Sequence, residues 1–331
     1  MVRPLINIIG SVFTIITLGA IGIAITIGAV FWIYGRDLPS HESLSQYKPP
    51  TISRIYSVEG QIIDEFARER RLFTPADEIP NSVKNAFISA EDKNFYSHPG
   101  YDVRGIISAI VDAVRSGGQV VRGASTITQQ VMKNFLLDGS RQAERKIKEI
   151  ILATRIENTL PKNKILELYL NEIFLGQNSY GVTAAAQTYF NKTLDQLAPH
   201  EAAFLAALPK APSKFHPVRK KDRLLERRNY VLREMWQNGY LNEIEYKSEL
   251  NMPLKSVQNG DFTSFKSSLP PRDYFTDEIR RQLSRNFGEE EFFTSGMTVR
   301  ATLDPEMQSV AAIALQRALQ TYDRRQGVWR G

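Results

Sequence analysis

Residues 81–102 read NSVKNAFISAEDKNFYSHPGYD. Val83, Ala86, Phe87 and Ala90 recur at the three-four spacing of one helix face, and Pro99 and Gly100 supply a turn. The spacing predicts a helix that runs straight into a crowd of acids, a lysine, aromatics and a histidine. Taken alone, a Glu-Asp-Lys run reads as a solvated helix face with Phe95 and Tyr96 as core anchors. A carboxylate there becomes chemically interesting only where burial or neighbouring groups converge on it, and Glu91 is the candidate.

The same periodicity extends outward from this stretch. DVRGIISAIVDAV, TITQQVMKNFLL, RQAERKIKEIILATRIENTL, KNKILELYLNEIFLG, GVTAAAQTYF, HEAAFLAAL and RLLERRNYVLREMWQNG each carry apolar residues at three-four spacing, with turn residues between them. From Pro80 to about Leu250 the chain therefore reads as a mainly helical domain. Upstream, TISRIYSVEGQIIDEF alternates around Glu59 and Gly60 as a hairpin does. Downstream, residues 255–273 break the composition as a linker, followed by a helix (YFTDEIRRQLSRNF), a strand (GMTVRATL) and a helix opening at Asp304-Pro305. Two helices and one strand are too few to close a core of their own, so this tail is expected to begin a domain that the sequence does not contain.

At 331 residues the chain is long enough for more than one domain. With 42 Lys+Arg against 36 Asp+Glu, the net charge of +6 favours an anionic partner without choosing among nucleic acid, lipid surface and phosphorylated substrate. Absence of cysteine excludes disulfides and thiolate zinc sites. No charged residue lies between Arg3 and Arg36, and LINIIGSVFTIITLGAIGIAITIGAVFWIY is almost wholly apolar. About 20 apolar residues cross a bilayer, so this run reads as an uncleaved membrane span with Trp32 and Tyr34 at an interface. A signal-peptide core is shorter, about 7–15 residues, and no small-x-small cleavage site follows. Residues 37–50 form a proline-bearing stalk.

Two more stretches carry chemistry. RGASTITQQVMKN offers a glycine-opened helix start at residues 123–125, whose backbone N–H groups and hydroxyl suit an anion, with Gln129, Gln130, Lys133 and Asn134 one or two turns on. In RQAERKIKE, Arg141, Arg145 and Lys148 share a helix face with Glu149 offset to its side. Such a stripe suits a diphosphate, with Glu149 ligating a divalent metal or orienting the leaving group. Standing alone, each stretch reads first as an ordinary capped or salt-bridged helix.

Taken together and in order, EDKNFYSHPGYD, GASTITQQVMKN, RKIKEIILATRIE, KNKILELYLNEIFLGQNSYGV and KAPSKFHPVRKKDRLLERRNYVL resemble the five motifs of the peptidoglycan glycosyltransferase domain of class A penicillin-binding proteins. This is the lysozyme-like family 51 that polymerises lipid II. The resemblance implies residues 1–36 as transmembrane anchor, 37–50 as stalk, 51–255 as glycosyltransferase domain and 256–331 as linker and start of an absent transpeptidase region. The fold it implies is mainly α, with a small incomplete α/β segment at the C-terminus.

By the same resemblance Glu91 is the general base and Asp92 and Phe95 support it. Ser125, Gln129, Gln130 and Lys133 are donor-site contacts, Arg141 and Arg145 hold the diphosphate, and Glu149 is the second essential carboxylate and metal ligand. Asn171, implied as a substrate-binding residue, and the turn at 176–180 belong to the fourth motif. Arg227 and Arg228 belong to the fifth, with structure or substrate contact equally open. Similar sequences often carry Arg where this chain has Ser108, and no substrate contact is assigned there.

The implied cofactor is a divalent cation, Mg2+ or Mn2+. The implied partners are lipid II, the growing glycan strand and the membrane, with cell-wall synthesis proteins or a second copy beside them and no nucleic acid. The implied location is the bacterial inner membrane, single-pass, with the N-terminus cytoplasmic and the catalytic domain periplasmic or external. YFTDEIRRQL and GMTVRATLDPEMQ resemble the linker before a transpeptidase domain. That domain needs Ser-x-x-Lys, Ser-x-Asn and Lys-Thr-Gly; no Lys-Thr-Gly occurs here, and no transpeptidase activity or penicillin binding is expected. Two other readings compete, a lysozyme-like glycan cleaver, which would not need the basic cluster, and a membrane-tethered binding protein, in which Glu91 and Glu149 would be replaceable.

Overall fold

The computed structural model describes residues 2–36, 38, 52–116, 125–136, 142–265 and 274–327. The predicted stalk, residue 38 apart, residues 266–273 of the predicted linker and the start at 123–124 lie outside the described residues. In chain order the helices are α1 (Val2–Gly35), α2 (Asn81–Glu91), α3 (Val103–Arg115), α4 (Ile127–Leu136), α5 (Gln142–Glu157), α6 (Lys162–Glu172), α7 (Val182–Phe190), α8 (Pro199–Ala207), α9 (Lys221–Gln237), α10 (Glu243–Leu250), α11 (Tyr274–Phe287), α12 (Glu289–Thr294) and α13 (Pro305–Arg325). The strands are β1 (Ser53–Tyr56), β2 (Ile62–Phe66), β3 (Arg70–Arg71), β4 (Ser179–Tyr180) and β5 (Thr298–Arg300). The chain is mainly helical, as its periodicity predicts, and divides into two compact units, Met1–Tyr47 with Glu91–Tyr169, and Lys48–Ala90 with Leu170–Gly331.

In the first unit, the 23 residues Phe13–Gly35 of α1 are long and apolar enough to cross a membrane, and none of that face is buried. The end of α1 is closed from α5, where Arg155 Nη2 donates to the Gly35 carbonyl at 3.0 Å. Packing of α4 on α5 makes the core, from Ile127, Val131 and Met132 on one side and Ile151, Leu152 and Ile156 on the other. The loop after α2 lies hard against α5. A Cβ on Gly100, whose φ is +96°, would stand 2.7 Å from the Ala153 carbonyl oxygen. Two residues on, Asp102 caps α3 by accepting from Gly105 N at 3.0 Å and takes a second bond from Asn94 Nδ2 at 2.9 Å. Burial would raise the Asp102 carboxyl; the bonds from Gly105 and Asn94 outweigh it and hold the group below the usual carboxylate range.

In the second unit, α8 is buried on every face, which its alanines permit by letting α9 approach closely. Tyr189 and Phe190 of α7 meet Phe204 of α8 edge-on at 5.2 and 5.1 Å. Arg228 of α9, 1% exposed, donates to the Met252 carbonyl at 2.6 Å and the Leu250 carbonyl at 3.1 Å, closing the end of α10. Burial lowers its pKa, and Glu249 offsets part of that. Periodicity does not announce α10, because none of its residues is buried. Its capping box does: Asn242 accepts from Glu245 N at 2.9 Å and Glu245 accepts from Asn242 N at 2.8 Å.

The predicted hairpin is β1 and β2, antiparallel, and β5 joins β1 on its other side in parallel. The C-terminal segment thus has a core after all, shared with the hairpin. Ile55, Ile63 and Phe66 pack with Phe292 and Leu303, flanked by Phe275, Ile279 and Leu283. Asp304 caps α13 by accepting from Glu306 N and Met307 N, with Pro305 in the first turn.

Gly100→Ala should strain the backbone and force the loop off α5. We expect a loss of about 2 kcal/mol or more, read as a fall of about 4–8 °C in the melting temperature of the detergent-solubilised chain.

Candidate active site

Glu91 is the last residue of α2 and opens the second segment of the first unit. Its half-buried carboxylate accepts at Oε2 from Gln130 Nε2 at 2.8 Å. The next residue, Asp92, is buried and engaged on two sides. Its oxygens face His98 Nε2 at 2.9 and 3.0 Å, and Oδ2 also accepts from the backbone N–H of Ile127, the first residue of α4, at 2.9 Å. Gly100 N donates to His98 Nδ1 at 3.1 Å, so the ring proton sits on Nε2 and points at Asp92. Thr126 completes the junction: its hydroxyl donates to the Gly100 carbonyl at 2.7 Å and accepts from Gln129 N at 3.2 Å, capping α4.

Phe95 is fully buried and is the floor of this loop. Lys162 Nζ lies 4.6 Å from its ring centre and donates to the His98 carbonyl and to Glu157 Oε1, both at 2.7 Å. Thr128 of α4 donates to the same Glu157 oxygen at 2.6 Å. Beneath the site, Tyr169 is buried; burial and then the charges of Glu91 and Asp92 push its phenol well above the ordinary value, so it stays protonated.

The second centre stands on α5. Glu149 is buried, with Oε2 accepting from Lys146 Nζ at 3.0 Å and Oε1 lying 3.5 Å from Arg145 Nε. The Lys146 ammonium sits among three oxygens, donating also to Ser125 Oγ at 2.8 Å and Gln129 Oε1 at 2.9 Å. Gln129 is buried, and its Nε2 has no protein acceptor.

The structure therefore brings together, in one unit, Glu91, Asp92, Phe95, Ser125, Gln129, Gln130, Arg145 and Glu149. Lys133 is exposed on α4, and Arg141 lies outside the described residues. Asn171 falls in the second unit, where its amide accepts from Thr74 N and donates to the Thr74 carbonyl, both at 2.9 Å. Arg227 stacks 4.5 Å from the Tyr230 ring. Ser108 is exposed on α3.

Of the expected stripe, Arg145 stands at Glu149 and Lys148 does not. Lys148 is paired with Glu144 at 2.7 Å, and Lys146 takes its place at Glu149. The signal was readable: Lys146 and Glu149 are three apart on a helix and share a face. His98 was in view as a residue type, but its bond to Asp92 needs the turn at 99–100 to fold the ring back.

The donor set around Lys146, three oxygens of which one is a carboxylate, is of the kind a hard divalent cation takes. Among the described residues no cluster of three or more His, Asp or Glu forms a ready-made metal cage. A cation would therefore meet one carboxylate here, and would have to displace the Lys146 ammonium to do so.

A family model described as Transglycosylase matches residues 59–236, more than half of the chain. Penicillin-binding protein 1A of Rickettsia felis is 42% identical over 319 residues, which cover 96% of this chain and 39% of the relative. Penicillin-binding protein 1A of Neisseria flavescens is 43% identical over 311 residues, covering 93% of this chain and 38% of that one. Among solved structures, penicillin-binding protein 1A from Haemophilus influenzae is similar at a TM-score of 0.49 and 31% identity, over 86% of this chain and 31% of that chain. This chain spans about two fifths of the length of the curated relatives it matches.

Lys146→Met should leave the buried Glu149 carboxylate with Arg145 alone, and Glu149→Gln in the same chain should restore much of the lost stability. A double-mutant cycle on melting should give a coupling of about 0.5–3 kcal/mol, toward the low end because Lys146 is 42% exposed.

Proposed function

The chain belongs to the transglycosylase family, and from that membership we propose that it is a membrane-anchored peptidoglycan glycosyltransferase that polymerises lipid II into β-1,4 glycan strands. The observation that carries this reading is that the start of α4 with the two residues before it, residues 125–130, bonds to both acidic centres. Gln130 holds Glu91, while Ser125 and Gln129 hold the Lys146 that grips Glu149.

In the reaction, the 4-hydroxyl of the acceptor sugar attacks the anomeric carbon of an α-linked lipid diphosphate. The new C–O bond forms as the bond from that carbon to the diphosphate oxygen breaks, so configuration inverts in one displacement. Glu91, ionised, takes the hydroxyl proton. The departing diphosphate needs positive charge rather than a proton, and Lys146 and Arg145 supply it; Arg141 and Lys133 are the further donor-side residues that family membership implies. The Ser125 hydroxyl and the Gln129 Nε2, which has no protein acceptor, donate to the phosphate oxygens. Asp92 takes no part in proton transfer, because His98 and the Ile127 amide engage its oxygens. Asn171 serves in the fourth motif by fixing the chain at Thr74.

A divalent cation, Mg2+ or Mn2+, would be held by Glu149 with Ser125 and Gln129 and would supply further charge neutralisation to the diphosphate. The glycosyltransferase domain is assigned to residues 51–255. The apolar helix α1 is assigned as the anchor, with the N-terminus cytoplasmic and the catalytic domain on the outer face of the bacterial inner membrane. A substrate whose lipid stays in the bilayer calls for such tethering. Cell-wall synthesis proteins or a second copy of the chain complete the assigned partners.

Polymerisation of labelled lipid II by the solubilised chain with Mg2+ tests this. The parent should make glycan strands, and Glu91→Gln should lose about three orders of magnitude in kcat. An inert folded parent, or a Glu91→Gln enzyme as active as the parent, would sink the reading.

A further inference from the structure

Gln129 and Gln130 are adjacent, yet they serve different centres. Gln129 accepts from Lys146 on the diphosphate side. Gln130 donates to Glu91 Oε2 at 2.8 Å. We propose that Gln130 is a positioning residue, which fixes the Glu91 carboxylate in the rotation that meets the acceptor hydroxyl, and that it does not bind substrate. This role rests on Glu91 being the base.

Three observations carry it. A glutamate at the end of a helix has three side-chain torsions, and the last of them, which aims the carboxylate oxygens, is soft. A single well-placed N–H donor to one oxygen sets that torsion, and Gln130 supplies one at hydrogen-bond distance.

The main chain that carries the donor is itself tied down. Gln130 N donates to the Thr126 carbonyl at 3.0 Å, Thr126 is tied to the Gly100 carbonyl, and Ile127 N is tied to Asp92. Residues 127 and 130 lie three apart on one helix face. The same turn of α4 thus grips the dipeptide Glu91–Asp92 at two points, by a main-chain amide on Asp92 and a side-chain amide on Glu91.

The chemical type also fits. A lysine or arginine at this position would form an ion pair and weaken the base, and a carboxylate would compete for its proton. A neutral amide donor orients with the least loss of basicity. Among the described residues, Asp92 and Tyr169 beside Glu91 do not compete for the task. Asp92 is engaged by His98 and Ile127, and Tyr169 is kept protonated by burial and by the two neighbouring carboxylates.

The experiment is steady-state kinetics of the solubilised full chain on lipid II, with Gln130→Ala, Gln130→Met and Gln130→Glu beside Glu91→Gln. Folding of each variant is checked by melting. The near-isosteric methionine keeps the test alive if the alanine variant does not fold. Gln130→Met and Gln130→Ala should lower kcat about 10- to 100-fold, the scale of a misaimed reacting group, with KM within about twofold. Gln130→Glu should move the acid limb of the kcat profile up by about one pH unit or more, because two carboxylates so close do not both ionise. A rise in KM at unchanged kcat would make Gln130 a substrate contact and overturn the proposal, as would parental kcat and pH profile in all three. An inert parent, or an active Glu91→Gln enzyme, overturns the base assignment itself and is recognised without any Gln130 variant.

Discussion

The first unit depends on the carboxylate of Asp92. With two oxygens it accepts the Nε2 proton of His98 and the first backbone N–H of α4, so one buried charge joins the loop after α2 to the start of the helix that faces Glu91. A buried carboxylate is costly unless hydrogen-bonded, and this one has donors from a ring and from a helix N-terminus, where the dipole also favours negative charge. His98 is in turn held by Gly100 N at its other nitrogen, and Gly100 is held by Thr126 and by the close approach of Ala153. The chain of bonds closes on itself within residues 92–129. Any side chain projecting from that turn of α4 is therefore aimed by a ring of contacts.

Much of this architecture was legible in the sequence. The helices α2 to α9 follow from apolar spacing, the hairpin from alternation around a glycine, and the start of α13 from Asp-Pro, because each is decided by local chemistry. The two acids and the glutamines were legible as types. Their division of labour was not: whether Gln129 or Gln130 faces Glu91 depends on where α4 is rotated, and the bond from Asp92 to Ile127 sets that across 35 residues of chain. Lys146 displaced Lys148 for a similar reason. On a bare helix either lysine can reach an acid, and the choice falls to the one whose neighbours across α4, Ser125 and Gln129, present oxygens.

Asn171 and Arg228 show the opposite limit. A polar residue inside a catalytic motif invites a contact with substrate, yet both amide groups of Asn171 close on Thr74, and the guanidinium of Arg228 closes the end of a helix. Buried main-chain groups must be satisfied, and in these motifs side chains do it. Sequence alone does not say which polar side chains are given to that task, since the main-chain groups they meet are brought up by tertiary packing.

The parallel pairing of β1 with β5 has a consequence for the order of events on the ribosome. Ser53 donates to the Phe292 carbonyl and accepts from Met297 N, partners separated by 239 and 244 residues. At about 5–20 residues per second, one edge of the hairpin waits on the order of 10–50 seconds for its strand. An open strand edge is a template for wrong pairing. The hairpin emerges soon after the apolar helix and is completed only when residues 292–300 follow, so its interval of exposure lengthens with whatever slows synthesis of the residues between.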